Sequence, residues 1–423
     1  MSSLRTAPDV SELMVYLTSE FAPISASIKR RYEDFVVEEI PAYEACGRGD
    51  HYYFTIEKSG LSTMRAVQDI ARALGANPRD VGLAGLKDAR AVSVQTLSLE
   101  HIDPAKIEAL RIPRIRILRV SRHTNKLKIG HLRGNRFRIK LRDVPPERIS
   151  DIRAICDILH RRGTPNYFGQ QRFGLRGDSW EMGKAILKND PKTLVDLILG
   201  TPGPLDTGPV LKARQLYQAG KFDAAAKAWP FGFSTNARMC RAMAKSGGKH
   251  HRAAHALDDR MKKFFVNAFQ SYLFNRVLSQ RIGEIDRVRE GDLAYKHDNG
   301  AVFLVTDAAA EADRAEAFEI SPSGPIFAPR MTTAGGEIGE LEAAVFDSGG
   351  VTLDDFRKLR RMSFHGARRP LRFRPDDLAI EAGSDEHGPY VDLRFSLPSG
   401  CYATMLLREV CKGDLTEALD EED

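Results

Sequence analysis

A seven-residue stretch, Arg136-Phe137-Arg138-Ile139-Lys140-Leu141-Arg142, alternates cation and apolar residue without a break. Successive side chains of a strand point to opposite faces, so as a strand this segment sets every charge on one side and every apolar group on the other. A helix would spread both kinds around its axis. The segment therefore calls for a half-buried sheet with one face packed and one face polar. It lies in a longer basic run: from Arg111 to Arg142 there are twelve Lys or Arg and no Asp or Glu. A second acid-free run, Lys358 to Arg374, adds Arg360, Arg361, Arg368, Arg369, Arg372 and Arg374. The end of the chain carries Asp414, Glu417, Asp420, Glu421, Glu422 and Asp423. Net charge is only +6 over 423 residues, so the unevenness holds the information. Basic faces of this density suit a polyanion and its phosphates, although any one cation also fits a solvated surface.

Strand patterns recur at Asp34–Ile40, His51–Glu57 and Val92–Leu99. Between them Ser62 caps a helix over Thr63–Leu74, whose Val67, Ile70, Ala71 and Leu74 form one apolar stripe ended by Gly75. Pro145-Pro146 opens another helix, with Ile149, Ile152, Ile155, Cys156 and Leu159 on one side and Gly163 at its end. Hairpins with separate helices indicate an α+β domain built on antiparallel sheet. From Met182 to Asn275 strand signals fade and helices are predicted at Leu194–Leu199, Val210–Ala228 and Ala256–Ile282, with loops at Gly200–Pro209 and Gly247-Gly248. Later come a short strand over Ala301–Thr306, a loop over Ser321–Phe327, a strand over Tyr390–Phe395 and an apolar segment from Cys401 to Leu407. With 42% hydrophobic residues the chain can bury a large core in two or three domains. No apolar run approaches the ~18 residues of a membrane span and no signal sequence opens the chain, so a cytoplasmic location is expected. Cys46, Cys156, Cys240, Cys401 and Cys411 are scattered and lack CxxC spacing, which predicts free thiols.

Asp88 is the leading reactive group. It sits in the small-residue turn Leu83-Ala84-Gly85-Leu86-Lys87-Asp88-Ala89-Arg90, where Lys87 and Arg90 favour the ionised carboxylate that a nucleophile or base requires. The same Lys-Asp pair also fits a solvated hairpin turn. Asn166-Tyr-Phe-Gly-Gln-Gln-Arg-Phe-Gly174 mixes aromatics, amides, a guanidinium and glycines, a combination suited to stacking a flipped base and reading its edge, or to an ordinary core corner. His251 and His255 stand one helical turn apart but lack carboxylate or thiol partners, so no metal site is predicted. No GxxxxGK[ST] or GxGxxG pattern points to a nucleotide cofactor.

Five ordered motifs carry a resemblance: Asp34-Phe35-x-Val37-x-Glu39, Gly85-x-Lys87-Asp88, His131-Leu-Arg-Gly-Asn-Arg-Phe137, Asn166-Tyr-Phe-Gly-x-Gln-Arg-Phe-Gly174 and Leu397-Pro-x-Gly-x-Tyr-Ala-Thr404. Together they resemble the TruD family of pseudouridine synthases, and Phe269–Asn275 with Arg368-Arg369 resembles that family's insertion domain. The resemblance implies an α+β catalytic domain with a central antiparallel sheet over 1–190 and 374–423, interrupted by the insertion over 191–373. It implies isomerisation of uridine to pseudouridine in tRNA, typically at position 13, without metal or organic cofactor and with no obligatory protein partner. Asp88 then matches the essential carboxylate, with Lys87 beside it and Lys29 matching a basic neighbour. Phe35, Asn166, Phe168 and Tyr402 match substrate-contacting positions, and Arg133, Arg136, Arg138, Lys140, Arg368 and Arg369 are the expected phosphate contacts. Ser93 stands where Thr is common, Tyr402 where Phe is frequent and Ala328 where Gly is frequent, while 182–256 is longer than in compact members. The other class of function open to such a fold is RNA binding or RNA folding with secondary or no catalysis.

Overall fold

The computed structural model describes residues 13–359, 362–413 and 415–417. Arg360 and Arg361 of the second basic run, and Asp414, Asp420, Glu421, Glu422 and Asp423 of the acidic end, lie outside the described residues. The chain divides into two units. A sheet unit takes Tyr16–Thr164 and the described residues from Phe373 on; a helical unit takes those up to Val15 together with Pro165–Arg372. No described helix is long and apolar enough to cross a membrane.

The sheet unit holds ten strands: β1 (Ala26–Ile28), β2 (Phe35–Pro41), β3 (His51–Ser59), β4 (Gly82–Leu83), β5 (Val92–Glu100), β6 (Ile115–His123), β7 (Leu132–Arg142), β8 (Asp376–Asp385), β9 (Gly388–Pro398) and β10 (Leu415–Glu417). Their order is β8-β9-β7-β2-β5-β3-β6, with β1 beside β7 and β10, and β4 beside β5. Pairing is antiparallel except for β2 with β5 and β1 with β10. The alternation of β7 behaves as its sequence dictates. Phe137, Ile139 and Leu141 are buried while Arg136 and Arg138 are exposed, and Phe137 stacks on Phe395 of β9 at 5.4 Å. Gly134 of the same strand faces Pro398, and a Cβ there would lie 2.2 Å from the Leu397 carbonyl oxygen, so no side chain fits.

The Thr63–Leu74 helix forms where its cap and stop signals place it. Ser62 accepts from Arg65 N–H at 3.2 Å, and Gly75 closes the helix in the left-handed region at φ 69°. Its Ala66, Val67, Ile70 and Ala71 pack with Phe54, Ile56, Leu97 and Leu99 of β3 and β5. The Ile149–Arg162 helix buries Ile152, Ile155, Cys156 and Leu159 and packs against the Ala403–Cys411 helix and β8. That last helix is what the apolar segment after Gly400 becomes.

In the helical unit, seven helices of described residues run from Ser179 to Gln280. The longest, Asp259–Gln280, is capped by Asp258, which accepts from Met261 N–H at 2.8 Å. Its Phe269, Leu273 and Val277 join a core with Leu194, Leu197 and Ile198. Two expectations differ here. Val210–Ala228 is two helices, Gly208–Gln218 and Phe222–Ala228, because the chain turns through Gly220 at φ 71°. The loop expected over Ser321–Phe327 is a strand, Ile320–Ile326, in a four-stranded sheet with Leu293–Lys296, Val302–Leu304 and Ala367–Pro370. Its two prolines are tolerated because the strand changes neighbour midway, pairing Ile320–Pro322 with one strand and Ser323–Ile326 with another.

Candidate active site

Asp88 lies in the turn that leads from β4 to β5, and backbone contacts fix that turn from several sides. Thr63 at the start of its helix accepts from Lys87 N–H at 2.8 Å and donates to Gln95 of β5 at 2.8 Å. Gly130 N–H donates to the Ala84 carbonyl at 2.8 Å. Arg90 N–H donates to Asp88 Oδ1 at 3.2 Å. The Asp88 carboxylate remains 41% exposed, open to a reactant.

Lys29 is its partner. The residue occupies the left-handed region at φ 56°, a conformation that costs a non-glycine residue ~1 kcal/mol or more and persists where surroundings enforce it. Its buried ammonium lies 2.9 Å from Asp88 Oδ2, 3.4 Å from Glu417 and 4.8 Å over the Phe35 ring. Burial alone would raise the Asp88 pKa, but the Lys29 hydrogen bond and charge, with the N–H groups of Arg90 and Ala89, outweigh it and hold the carboxyl below its usual range. Asp88, Lys29 and Phe35 thus meet in one cluster.

A second lysine, absent from the sequence-predicted site, holds the same turn from below. Lys58 of β3 is 0% exposed, and its ammonium donates to the Asp88 carbonyl at 2.9 Å, the Leu61 carbonyl at 2.5 Å and Ser93 Oγ at 3.4 Å. Burial pushes its pKa down to about 8, opposed by the Asp88 charge and assisted by Lys87. Nothing in the sequence marks it, since Lys58 reads as one more polar residue at a strand end.

Lys87 differs from expectation. Its backbone is tied to Thr63, but its ammonium turns to Asn135 Oδ1 at 2.5 Å and to Glu39 at 3.3 Å instead of to Asp88. Both ion-pair members are buried, so burial lowers the lysine pKa and raises the glutamate's, each opposed by the other's charge. Adjacent residues in an extended turn point apart, which sequence proximity cannot express. The pair ties β2 and β7 to the turn. Tyr402, at the start of the Ala403–Cys411 helix, is 39% exposed in the turn after β9.

The expected phosphate ribbon is largely neutralised. Arg136 pairs with Glu38 at 3.0 Å, Arg138 with Asp392 at 3.0 Å and Lys140 with Asp385 at 2.6 Å. Acids missing from the basic run come from β2, β8 and β9. Arg133 is exposed and makes no side-chain ion pair among the described residues.

The remaining candidates belong to the helical unit and form their own cluster. Arg369 bonds Asn166 Oδ1 and lies 4.4 Å over the Phe168 ring, while Asn166 Nδ2 donates to the Pro370 carbonyl at 2.9 Å. Asn275 grips the Phe168 backbone from both sides, accepting from its N–H and donating to its carbonyl, each at 2.9 Å. Arg368, expected as a phosphate contact, has its guanidinium buried against Glu342 at 2.8 Å and Ser323 at 3.1 Å within this unit.

Comparison with known proteins adds the family. The sequence model of TruD, tRNA pseudouridine synthase D, matches residues 12–410. The tRNA pseudouridine synthase D of Geobacter sulfurreducens is 45% identical over 397 residues, 94% of this chain and 96% of that protein. Its counterpart in Anaeromyxobacter dehalogenans is 34% identical, covering 96% of this chain and 99% of the relative. A crystal structure of a putative tRNA pseudouridine synthase D from Methanosarcina mazei superposes with a TM-score of 0.83 at 27% identity, over 96% of this chain and 99% of that one. These likenesses cover nearly the whole chain, and it belongs to the TruD family of tRNA pseudouridine synthases, enzymes of the isomerase class.

Proposed function

We propose that this chain isomerises a uridine of tRNA to pseudouridine, at position 13 as the family resemblance implies, with Asp88 as the reacting carboxylate. One observation carries the reading: a half-exposed carboxylate is kept ionised by a buried lysine at 2.9 Å while its own backbone is held by a second. The C1′–N1 bond must break, the uracil must turn, C1′ must bond to C5, and C5 must lose its proton while N1 gains one. An ionised Asp88 serves either route, attacking C1′ directly or removing the C2′ proton. Both routes need the uridine out of its stack, at a cost of a few kcal/mol that base stacking and phosphate contacts offset. Phe35 and Tyr402 in the sheet unit, and Asn166 and Phe168 in the helical unit, are the proposed base contacts; the family's insertion is assigned to 191–373, all but its last residue within the latter. A tRNA substrate fits the cytoplasmic location expected from the sequence.

Purified protein should form pseudouridine at one site of unmodified tRNA, and Asp88→Asn should abolish product while tRNA still binds. An active Asp88→Asn protein would overturn the assignment, and wild-type protein that binds tRNA without making product would favour an RNA-binding or RNA-folding role.

A further inference from the structure

A groove of about 610 Å³ opens on the sheet unit between the Thr63–Leu74 helix and the loop before β6. Four arginines rim it, Arg65, Arg72, Arg111 and Arg114, around an apolar floor that includes Pro113. The carboxylate among the lining residues is Asp69, which takes Arg65 at 2.7 Å and Arg72 at 3.4 Å. Those arginines are 58% and 76% exposed, and ion pairs that open to water contribute ~0–1 kcal/mol, so a phosphate can replace either. Arg111 is steadied differently, donating to the Glu108 and Leu110 carbonyls at 3.1 and 2.8 Å, which fixes the guanidinium without cancelling its charge. Arg114 sits in the left-handed region at φ 63° with its guanidinium 5.7 Å over the Tyr32 ring. A non-glycine residue stays in that region only where its surroundings hold it, and such positions cluster at binding sites.

The groove also connects to the catalytic turn. Leu61 lines it, and the Leu61 carbonyl shares the Lys58 ammonium with the Asp88 carbonyl. At Leu61 the groove therefore borders the turn that carries Asp88. We propose that this groove binds the sugar–phosphate backbone of the RNA next to the target uridine, with phosphates on the four arginines and a ribose or base against the floor. Guanidinium forks on an open groove suit phosphate oxygens, and the apolar floor suits a stacked or edge-on nucleoside. The inference rests on tRNA being the substrate.

The test is tRNA binding titrated over potassium chloride concentration. Arg65→Ala/Arg72→Ala and Arg111→Ala/Arg114→Ala should each weaken binding about tenfold and make the log–log salt slope shallower by ~0.7–0.9 for each phosphate no longer neutralised. Arg153→Ala/Arg161→Ala, exposed cations of the Ile149–Arg162 helix, serves as a control of equal charge change and should shift binding less than twofold. Thermal melts of each variant, with Arg111→Lys/Arg114→Lys retaining the slope, separate weakened phosphate binding from unfolding. Groove variants that bind like wild type, or a control that weakens binding equally, would overturn the proposal. Wild-type protein that binds no tRNA at any salt would instead remove the substrate reading, and the groove's role with it.

Discussion

Two lysines hold Asp88, and pH separates their contributions. The Asp88 pKa lies below its ordinary value, so the carboxylate stays ionised and activity should persist down to about pH 4. Lys29→Met removes the counter-charge and leaves burial opposed only by the Arg90 and Ala89 N–H groups; the acid limb should move to higher pH and the rate at pH 7 fall roughly 100-fold, read from initial rates across pH. Lys58 titrates in the other range. Its folded pKa, about 8, is below the unfolded ~10.4, so between these values the folded chain binds fewer protons than the unfolded one. Stability contributed by this site therefore rises with pH through that window. Activity should move the opposite way, because three oxygen acceptors match the three donors of an ammonium and not an amine. A protein that melts higher yet turns over more slowly at pH 9 than at pH 7 is the expected result; a rate unchanged to pH 9.5 would count against Lys58 as the holder of the turn. Motifs singled out Asp88 and Phe35 in the sequence, and the family resemblance added Lys29; the three side chains lie together. Lys58 was not legible there, because its contact with the Asp88 carbonyl arises only when β3 pairs with β5 and sets Lys58 opposite Ser93.

At the scale of the strand, β7 shows what alternation can and cannot say. The pattern correctly assigned its faces, yet which charges face water depends on neighbours remote in sequence. Arg142, at the end of the alternation, is buried with Asp34 at 2.6 Å and Asp385 at 2.9 Å. Hydrogen bonds from Arg142 hold the Asp385 carboxyl well below its ordinary pKa. Arg142→Met would leave Asp34 as a buried, uncompensated carboxylate, and denaturant unfolding should show a loss of about 3–5 kcal/mol. Toward the other end, exposed Arg133 has no acidic partner among the described residues, whereas Arg136 already has Glu38. Arg133→Ala should accordingly weaken tRNA binding more than Arg136→Ala in paired titrations at one salt concentration. The Ile320–Ile326 strand was hidden for a related reason: its prolines and glycine read as a loop, and only pairing with two different strands makes it part of a sheet.

Across the whole molecule, the sheet is made from both ends of the sequence. β7 is flanked by β2 from the first stretch and by β9 from the last, with residues 165–372 intervening. The fading and return of strand signals agrees with this discontinuity, and the first stretch of the sheet unit ends at Thr164. The cause is local: Asn166 and Phe168 are tied to Arg369 and Asn275, so the loop that carries them joins the helical unit. A chain ending at Arg372 would keep Asp88, Lys29, Lys58 and Phe35 but lose β8, β9, β10 and the Ala403–Cys411 helix. One edge of β7 would be unpaired, Arg138 would lose Asp392, and Arg142 would lose Asp385. The helical unit keeps its own core of Leu194, Phe269 and Val277, so helical circular dichroism should survive truncation. Hydrogen exchange should then show unprotected β7 amides and pseudouridine formation should vanish, because a site assembled on β2, β3 and β5 depends on β7, whose partner strand is encoded some 250 residues away. A truncated chain that retained protected β7 amides and turned over tRNA would show that the sheet closes without its C-terminal strands.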